Sequence, residues 1–265
     1  MPRLLVNGAR LYVEDHGSGT PLVFLPGLAG GLRFFEPQLT ELADHYRTIA
    51  MDYRGHGRSE VTEIGYTLEQ FAADIDGVLE KLAVTDAIIV GWSLGALLSW
   101  EYADRYGTTR VRGLVDVDME ASPYQRDDYP YGTYTVDGLQ ESLVALQTDR
   151  FAALEAAIDR LCKDPPADRL RRMMIDEMSR CPPTVQGTLM LSLIRDYRPV
   201  LEEIDVPVLI CVGMDGKWRS PESVEHTASF LQDVRIERFP ESGHCLTVEE
   251  PDRFTRVLTD FVESL

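Results

Sequence analysis

The chain has 265 residues, of which 44% are hydrophobic and 26% charged, and its formal net charge is −18 at pH 7. This length allows one large α/β domain, or a core that carries an inserted subdomain. The negative charge disfavours nucleic acid and anionic membranes as partners, because both would repel an acidic surface. No apolar run approaches the length of a membrane span, and the N-terminal residues lack the pattern of a signal peptide, so we expect a cytoplasmic protein.

Strand and helix patterns alternate along the first 118 residues. Two short strands are predicted within residues 3–16, with Asn7-Gly8 at the turn between them. The elements predicted next are a strand at 21–25, a helix at 36–45, a strand at 48–51, a helix capped by Thr67, a strand at 87–90, a helix that ends near 106 and a strand at 111–118. Alternation at this pace predicts a parallel sheet that is covered on both faces by helices.

The alternation stops at about residue 119. A loop rich in Tyr, Asp and Pro follows at 124–134, and then come four helical patterns, at 139–147, 150–162, 167–180 and 184–195. The alternating pattern returns at 206–212 and ends in a closing helix that begins at residue 250. We therefore divide the chain into a core of residues 1–121 and 200–265 and a helical cap of residues 122–199, which we expect to cover the C-terminal edge of the sheet.

The pentapeptide Gly91-Trp92-Ser93-Leu94-Gly95 lies between a buried strand and a helix. This context is typical of a serine held on a tight, strained turn, where the two glycines leave room for the backbone. The turn would hold the hydroxyl of Ser93 above the sheet, beside the N-terminus of a helix whose dipole favours developing negative charge. Ser93 is therefore a predicted nucleophile.

Further residues with functional potential follow the other predicted strands. In an open parallel sheet, active groups collect beyond the carboxyl ends of the strands. The residues found there are Leu28, Asp118, Asp215 and His244. His244 lies in the loop after the last strand, where a general base could reach Ser93. Either aspartate could orient it.

The order of these motifs resembles the α/β-hydrolase fold family over nearly the whole chain outside the insert. The motifs are Asp-Tyr-Arg-Gly-His-Gly-Arg-Ser at 52–59, Gly-Trp-Ser-Leu-Gly at 91–95, Gly-Met-Asp at 213–215 and Ser-Gly-His at 242–244. The resemblance implies Ser93 as nucleophile, His244 as base and an oxyanion hole formed by the backbone N–H groups of Leu28 and Leu94. Within the family, the segments around Trp92 and residues 127–132 look most like small bacterial esterases and cofactor-free haloperoxidases.

The acid of the triad departs from the family pattern. Members commonly place an aspartate three residues after the glycine that ends the seventh core strand. In this chain Asp215 comes two residues after Gly213, and residue 216 is glycine. Asp118 is the alternative, because some relatives carry the acid after the preceding core strand. We expect Asp215 to orient His244.

These parts predict a serine hydrolase that cleaves a small carboxylic ester or lactone through an acyl-enzyme, with no metal or organic cofactor. Peracid formation in the manner of haloperoxidases and hydrolysis of a carbon–carbon bond are alternative reactions, because fold relatives share the triad across many activities. An alternative from another class is a ligand sensor with slow turnover. We expect Trp92, Tyr129 and Tyr131 to bind a small, apolar, ester-like substrate.

Overall fold

An eight-stranded sheet runs through the computed structural model, which describes residues 3–265. Its strands are β1 Arg3–Val6, β2 Ala9–His16, β3 Pro21–Leu25, β4 Arg47–Met51, β5 Ala87–Trp92, β6 Val111–Val117, β7 Val208–Gly213 and β8 Val234–Phe239. The spatial order is β1-β2-β4-β3-β5-β6-β7-β8. β2 pairs antiparallel with both β1 and β4, and β3 to β8 are parallel. The prediction of a mostly parallel sheet is confirmed.

Helices connect the strands and cover both faces of the sheet. They are α1 Glu36–Leu42, α2 Leu68–Lys81, α3 Leu94–Tyr106, α4 Val136–Thr148, α5 Arg150–Leu161, α6 Asp168–Ser179, α7 Pro183–Ser192, α8 Arg198–Leu201, α9 Pro221–Thr227, α10 Leu246–Glu249 and α11 Pro251–Ser264. The predicted helices are present, with shifts of a few residues at their ends. The sequence did not predict α8 and α10, because four residues are too few to show a helical period.

The central strand β5 is buried along its whole length. Successive side chains point to opposite faces of the sheet, so Ile89 belongs to the same core cluster as Phe71 of α2, while Val90 belongs to the other cluster, with Phe254 of α11. Burying one such aliphatic side chain contributes about 1.5–3 kcal/mol. A strand that is apolar on both faces is stable only with helices on both sides, and this holds the C-terminal end of β5 in a fixed place.

Five helices, α4 to α8, lie between β6 and β7 in the chain, and we call the first four, α4 to α7, the inserted helices. They contact the rest of the chain through polar and apolar groups. Arg33, which precedes α1, forms an ion pair with Asp176 of α6 at 3.1 Å, and Leu154 of α5 belongs to the same core cluster as Phe239 of β8. The helical segment is where the sequence predicted it, and the exact division into core and cap stays a prediction. No helix within residues 3–265 has the length and apolarity needed to cross a membrane.

Candidate active site

Ser93 lies on a strained turn between β5 and α3. Its backbone angles are φ 54° and ψ −115°, outside the regions that residues with side chains favour. A Cβ atom on Gly91 would lie 2.4 Å from the backbone of Gly95, and one on Gly95 would lie 2.0 Å from the carbonyl oxygen of Leu25. Only glycine fits at both positions. The turn therefore lifts the Ser93 side chain out of the sheet, as the pentapeptide predicted.

His244 pairs with Asp118. Its Nδ1 atom lies 2.6 Å from Oδ2 of Asp118, and both side chains are at most 3% exposed. The other carboxylate oxygen of Asp118 accepts a hydrogen bond from the backbone N–H of Gly213 at 3.0 Å. Because an ionised carboxylate can only accept, Nδ1 of His244 donates to it, and Nε2 is left as the proton acceptor.

The expectation that Asp215 orients His244 is wrong in this geometry. Oδ2 of Asp215 is buried without a hydrogen-bond partner in the described chain, and it lies 3.7 Å from Nζ of Lys217. Asp118 takes its place because a backbone φ of 52° turns the chain at the end of β6 and brings the carboxylate to the end of β7. The sequence held one signal for this exchange, the glycine at 216, the position at which the resemblance to the family leads one to expect the acid.

Burial lowers the pKa of His244 below its ordinary value of 6.5. The buried imidazole is poorly solvated when charged, and this effect outweighs the hydrogen bond that His244 donates to Asp118, which raises the pKa. The positive charge of Arg219 lowers the pKa further. The imidazole is therefore neutral near pH 7. A neutral imidazole is the form that can take a proton from a serine hydroxyl.

Trp92 connects three loops of the site. Its indole Nε1 donates a hydrogen bond of 2.7 Å to the backbone carbonyl oxygen of His244, and its ring stacks on Phe34 with centroids 4.7 Å apart. A Cβ atom on Gly27 would approach the same ring to 2.9 Å, so the loop that contains Leu28 lies directly against it. Trp92 therefore contacts both the loop that contains Leu28 and the loop that contains His244.

A cavity of about 460 Å³ opens beside Ser93 and His244. Leu28 and Leu94 contribute to its wall, and within residues 3–265 neither of their backbone N–H groups has a hydrogen-bond acceptor. The remaining wall is mostly apolar and comes largely from the inserted helices, with Leu97 and Met119 from the core and Ala145, Leu146, Ala153, Ala157, Leu161, Met178, Met190 and Leu193 from the insertion. Two unpaired donors beside a serine can bind an oxyanion.

Tyr129 and Tyr131, predicted to bind substrate, do not line this cavity. Arg126 and Tyr129 exchange two backbone hydrogen bonds, which close a tight turn. The rings of Tyr129 and Tyr131 pack against His226 of α9. Thr133 and Tyr134, a few residues further on, line the cavity instead. Composition marks this loop as aromatic, but it does not show which side of a turn faces the site.

Sequence reasoning missed the polar end of the cavity. Arg219 is 4% exposed and pairs with Glu120, which is fully buried. Trp218 stacks on His244 with ring centroids 5.8 Å apart, and the guanidinium of Arg160 lies 5.1 Å above the Trp218 ring. No spacing in the sequence links residues 120, 160 and 219.

In the part of the chain that the structure describes, no group of three or more His, Cys, Asp or Glu side chains is arranged to hold a metal ion.

The sequence profile of the alpha/beta hydrolase fold matches residues 20–251, which is most of the chain. The chain therefore belongs to the α/β-hydrolase fold family, and it is a hydrolase. This confirms the class and the fold expected from the motifs.

Individual relatives are similar over almost their whole length. The chain is 29% identical to a 2-(acetamidomethylene)succinate hydrolase of Mesorhizobium japonicum, covering 99% of this chain and 95% of that one. Among solved structures, it resembles an esterase from Exiguobacterium antarcticum at a TM-score of 0.93 and 30% identity, with 97% of each chain covered. It also resembles a bromoperoxidase from Bacillus anthracis at a TM-score of 0.91 and 25% identity, with 96% of each chain covered.

Proposed function

We propose that the protein is a serine hydrolase that cleaves a small carboxylic ester or lactone through an acyl-enzyme on Ser93. One observation carries the proposal: the strained turn at Ser93 opens into the same cavity as a buried pair of His244 and Asp118. The name of the esterase from Exiguobacterium antarcticum, to which the chain is similar, supports the ester class.

The reaction follows from the positions of these groups. Nε2 of His244 takes the proton of the Ser93 hydroxyl as the oxygen attacks the substrate carbonyl, and Asp118 stabilises the imidazolium that forms. The backbone N–H groups of Leu28 and Leu94 hold the negative oxygen. His244 then protonates the leaving alcohol, and a water molecule resolves the acyl-enzyme by the same sequence. The Ser93 hydroxyl makes no hydrogen bond among residues 3–265. This is compatible with the mechanism, because catalytic hydrogen bonds are commonly long in sites without substrate.

The substrate is a small molecule with apolar parts. A cavity of about 460 Å³ falls within the range of about 300–1,000 Å³ typical of small-molecule pockets. Its wall is largely aliphatic, so it favours hydrocarbon groups next to the scissile carbonyl. Because the inserted helices supply most of that wall, we assign to them the role of a cap that sets substrate preference.

The test is hydrolysis of a small chromogenic ester by the native chain, Ser93→Ala and Ser192→Ala. The control serine lies on α7, bonds to the carbonyl of Thr188 and is absent from the cavity wall. We expect kcat/KM of Ser93→Ala to fall by about 10³- to 10⁶-fold, and that of Ser192→Ala to match the native chain. Sustained turnover by Ser93→Ala would reject the proposal. A single slow cycle by the native chain would favour a ligand sensor.

A second candidate is peracid formation at the same site. The similarity to a bromoperoxidase at 25% identity favours it. Chemically, hydrogen peroxide would attack the acyl-enzyme in place of water, and Ser93, His244 and Asp118 would keep their roles. Peracid production from acetate and hydrogen peroxide, measured beside ester hydrolysis, decides between the two. Peracid formation more efficient than hydrolysis would make this the principal activity.

A further inference from the structure

We infer that the cavity selects esters or lactones that carry a carboxylate, and that the guanidinium of Arg219 binds this carboxylate. The inference rests on the proposed hydrolase function and adds a charge requirement to its substrate. It follows from hydrogen-bond donors in the cavity wall that have no acceptor.

The guanidinium of Arg219 is only partly satisfied. Its Nη1 atom donates to Glu120 and lies 2.9 Å from Sδ of Met119. Its Nε atom is buried and has no hydrogen-bond partner, and Nη2 also forms no hydrogen bond within residues 3–265. A guanidinium has five N–H donors, and three of them belong to Nε and Nη2. One whole edge of the group therefore lacks an acceptor.

Glu120 cannot satisfy this edge. Its Oε1 atom accepts from the backbone N–H of Thr133 at 3.2 Å, and its Oε2 atom is occupied by Nη1 of Arg219. Glu120 is also absent from the cavity wall, whereas Arg219 is part of it. A buried donor without an acceptor is costly, and Arg219 lines the cavity, so the acceptor that we assign to the free edge is an oxygen of a molecule bound there.

The surroundings of Arg219 favour a negative ligand. Trp218 Nε1 is a second buried donor without a partner, and Arg160 brings a further positive charge over the Trp218 ring. Among the charged side chains of the wall, only Glu141 is negative, and it is exposed to solvent on α4. Glu120 balances the charge of Arg219 from behind the wall, but the charged side chains that line the cavity itself are two arginines and one solvated glutamate, so the surface that a ligand meets is more positive than negative.

A carboxylate fits the free edge. The Nε and Nη2 groups of arginine point in parallel and can donate two hydrogen bonds to the two oxygens of one carboxylate. Binding there would also affect His244, because the charge of Arg219 lowers the pKa of that imidazole. A bound carboxylate offsets this charge, so the pKa of His244 rises and the imidazole becomes a stronger base when the substrate is in place.

The first experiment measures binding without turnover. Ser93→Ala protein is titrated by calorimetry with the monomethyl esters of succinate, glutarate and adipate, and with the neutral amide isostere of each. We expect at least one carboxylate to bind roughly 10- to 100-fold more tightly than its amide, the range for hydrogen bonds to charged groups. Equal or weaker binding of all three carboxylates would overturn the inference.

The second experiment assigns the carboxylate to Arg219. The double variant Arg219→Met with Glu120→Met, made in the Ser93→Ala chain, removes both charges and leaves no buried unpaired carboxylate. The affinity ratio of carboxylate to amide should fall to about 1, whereas Arg238→Met, at an exposed arginine paired with Glu225, should retain it. A retained ratio in the double variant would overturn the assignment. Should that variant not fold, Arg219→Lys keeps a partner for Glu120 but lacks the planar edge, and it should also lose most of the ratio.

Turnover by the native chain separates this inference from the proposed function. Carboxylate binding by Ser93→Ala, together with no ester hydrolysis by the native chain, would reject the hydrolase proposal and retain the Arg219 site. Rapid hydrolysis of neutral esters without any preference for carboxylates would reject the Arg219 site and retain the hydrolase.

Discussion

Asp118 and His244, 126 residues apart in the chain, meet at 2.6 Å between Oδ2 and Nδ1. The contact joins the end of β6 to the loop after β8. The other carboxylate oxygen of Asp118 accepts a hydrogen bond from the N–H of Gly213, at the end of β7. Three strand ends therefore fix the orientation of one imidazole. An orientation fixed in this way keeps Nε2 free for the hydroxyl of Ser93.

Asp118→Asn should lower kcat for ester hydrolysis by about 10⁴-fold, because an amide in this position holds the wrong tautomer of the imidazole. Asp215→Asn is the matched control, with the same chemical change at the end of the neighbouring strand. Its kcat should stay within about tenfold of the native value, since Asp215 forms no hydrogen bond or ion pair with His244. Steady-state kinetics of both variants measure the ranking, and a larger loss for Asp215→Asn would move the acid to that residue.

Trp92→Phe should lower kcat by about tenfold, since the carbonyl of His244 loses a buried hydrogen bond worth about 1–2 kcal/mol. Trp100→Phe is a matched control, because the indole of Trp100 donates an equally buried bond of 2.8 Å to Asp116, in a different part of the core. Both variants should lose stability, but only Trp92→Phe should lose kcat. Equal losses of kcat would show that Trp92 acts through general stability and not by positioning His244.

The acid limb of kcat/KM should have its midpoint below pH 6.5. His244 must be neutral to accept the Ser93 proton, and burial lowers its pKa below 6.5, so the active form persists to lower pH than for a solvated histidine. The profile is measured with a neutral ester from pH 4.5 to 9, with circular dichroism at each pH to confirm folding. A midpoint at or above 6.5 in the folded protein would contradict the assignment of His244 as the base.

Asp116→Asn should stabilise the protein increasingly as the pH rises from about 4 to 7. Burial raises the pKa of Asp116 from 3.8 to about 7, so over this interval the carboxyl ionises in the unfolded chain but stays protonated in the native state, and the native state loses stability as the pH rises. The asparagine does not ionise, and its oxygen can still accept from Trp100. Each pKa unit corresponds to about 1.4 kcal/mol, so the gain reaches up to about 4 kcal/mol. Urea unfolding of both proteins at pH 4, 5.5 and 7 measures the difference between their free energies of unfolding. A difference that is the same at all three pH values would contradict the prediction.

The sequence predicted the sheet, its helices and the turn at Ser93 because each depends on local pattern. Three such patterns each involve only neighbouring residues: the apolar run of β5, the two glycines around Ser93 and the helix cap at Thr67. Thr67 accepts a hydrogen bond from the N–H of Gln70, as predicted for a capping residue. His244 also reaches the cavity as expected, since the end of a parallel strand fixes its edge of the sheet.

The choice of acid could not be predicted in the same way. Asp118 and Asp215 both follow strands, and the outcome depends on a left-handed backbone at Asp118 and on its bond to the N–H of Gly213. The pairing of Arg219 with Glu120 likewise joins residues 99 positions apart. Such contacts come from the path of loops in space, and neither periodicity nor composition specifies that path.

Mass spectrometry can detect the proposed acyl group, bound covalently to Ser93, without reference to any rate. The native chain is mixed with excess 4-nitrophenyl ester, quenched in acid within the first turnover and digested. We expect one acyl group per chain, on the peptide that contains Ser93, and no acylation of Ser93→Ala. An acyl group on another residue, or labelling that persists in Ser93→Ala, would contradict the proposed acyl-enzyme on Ser93.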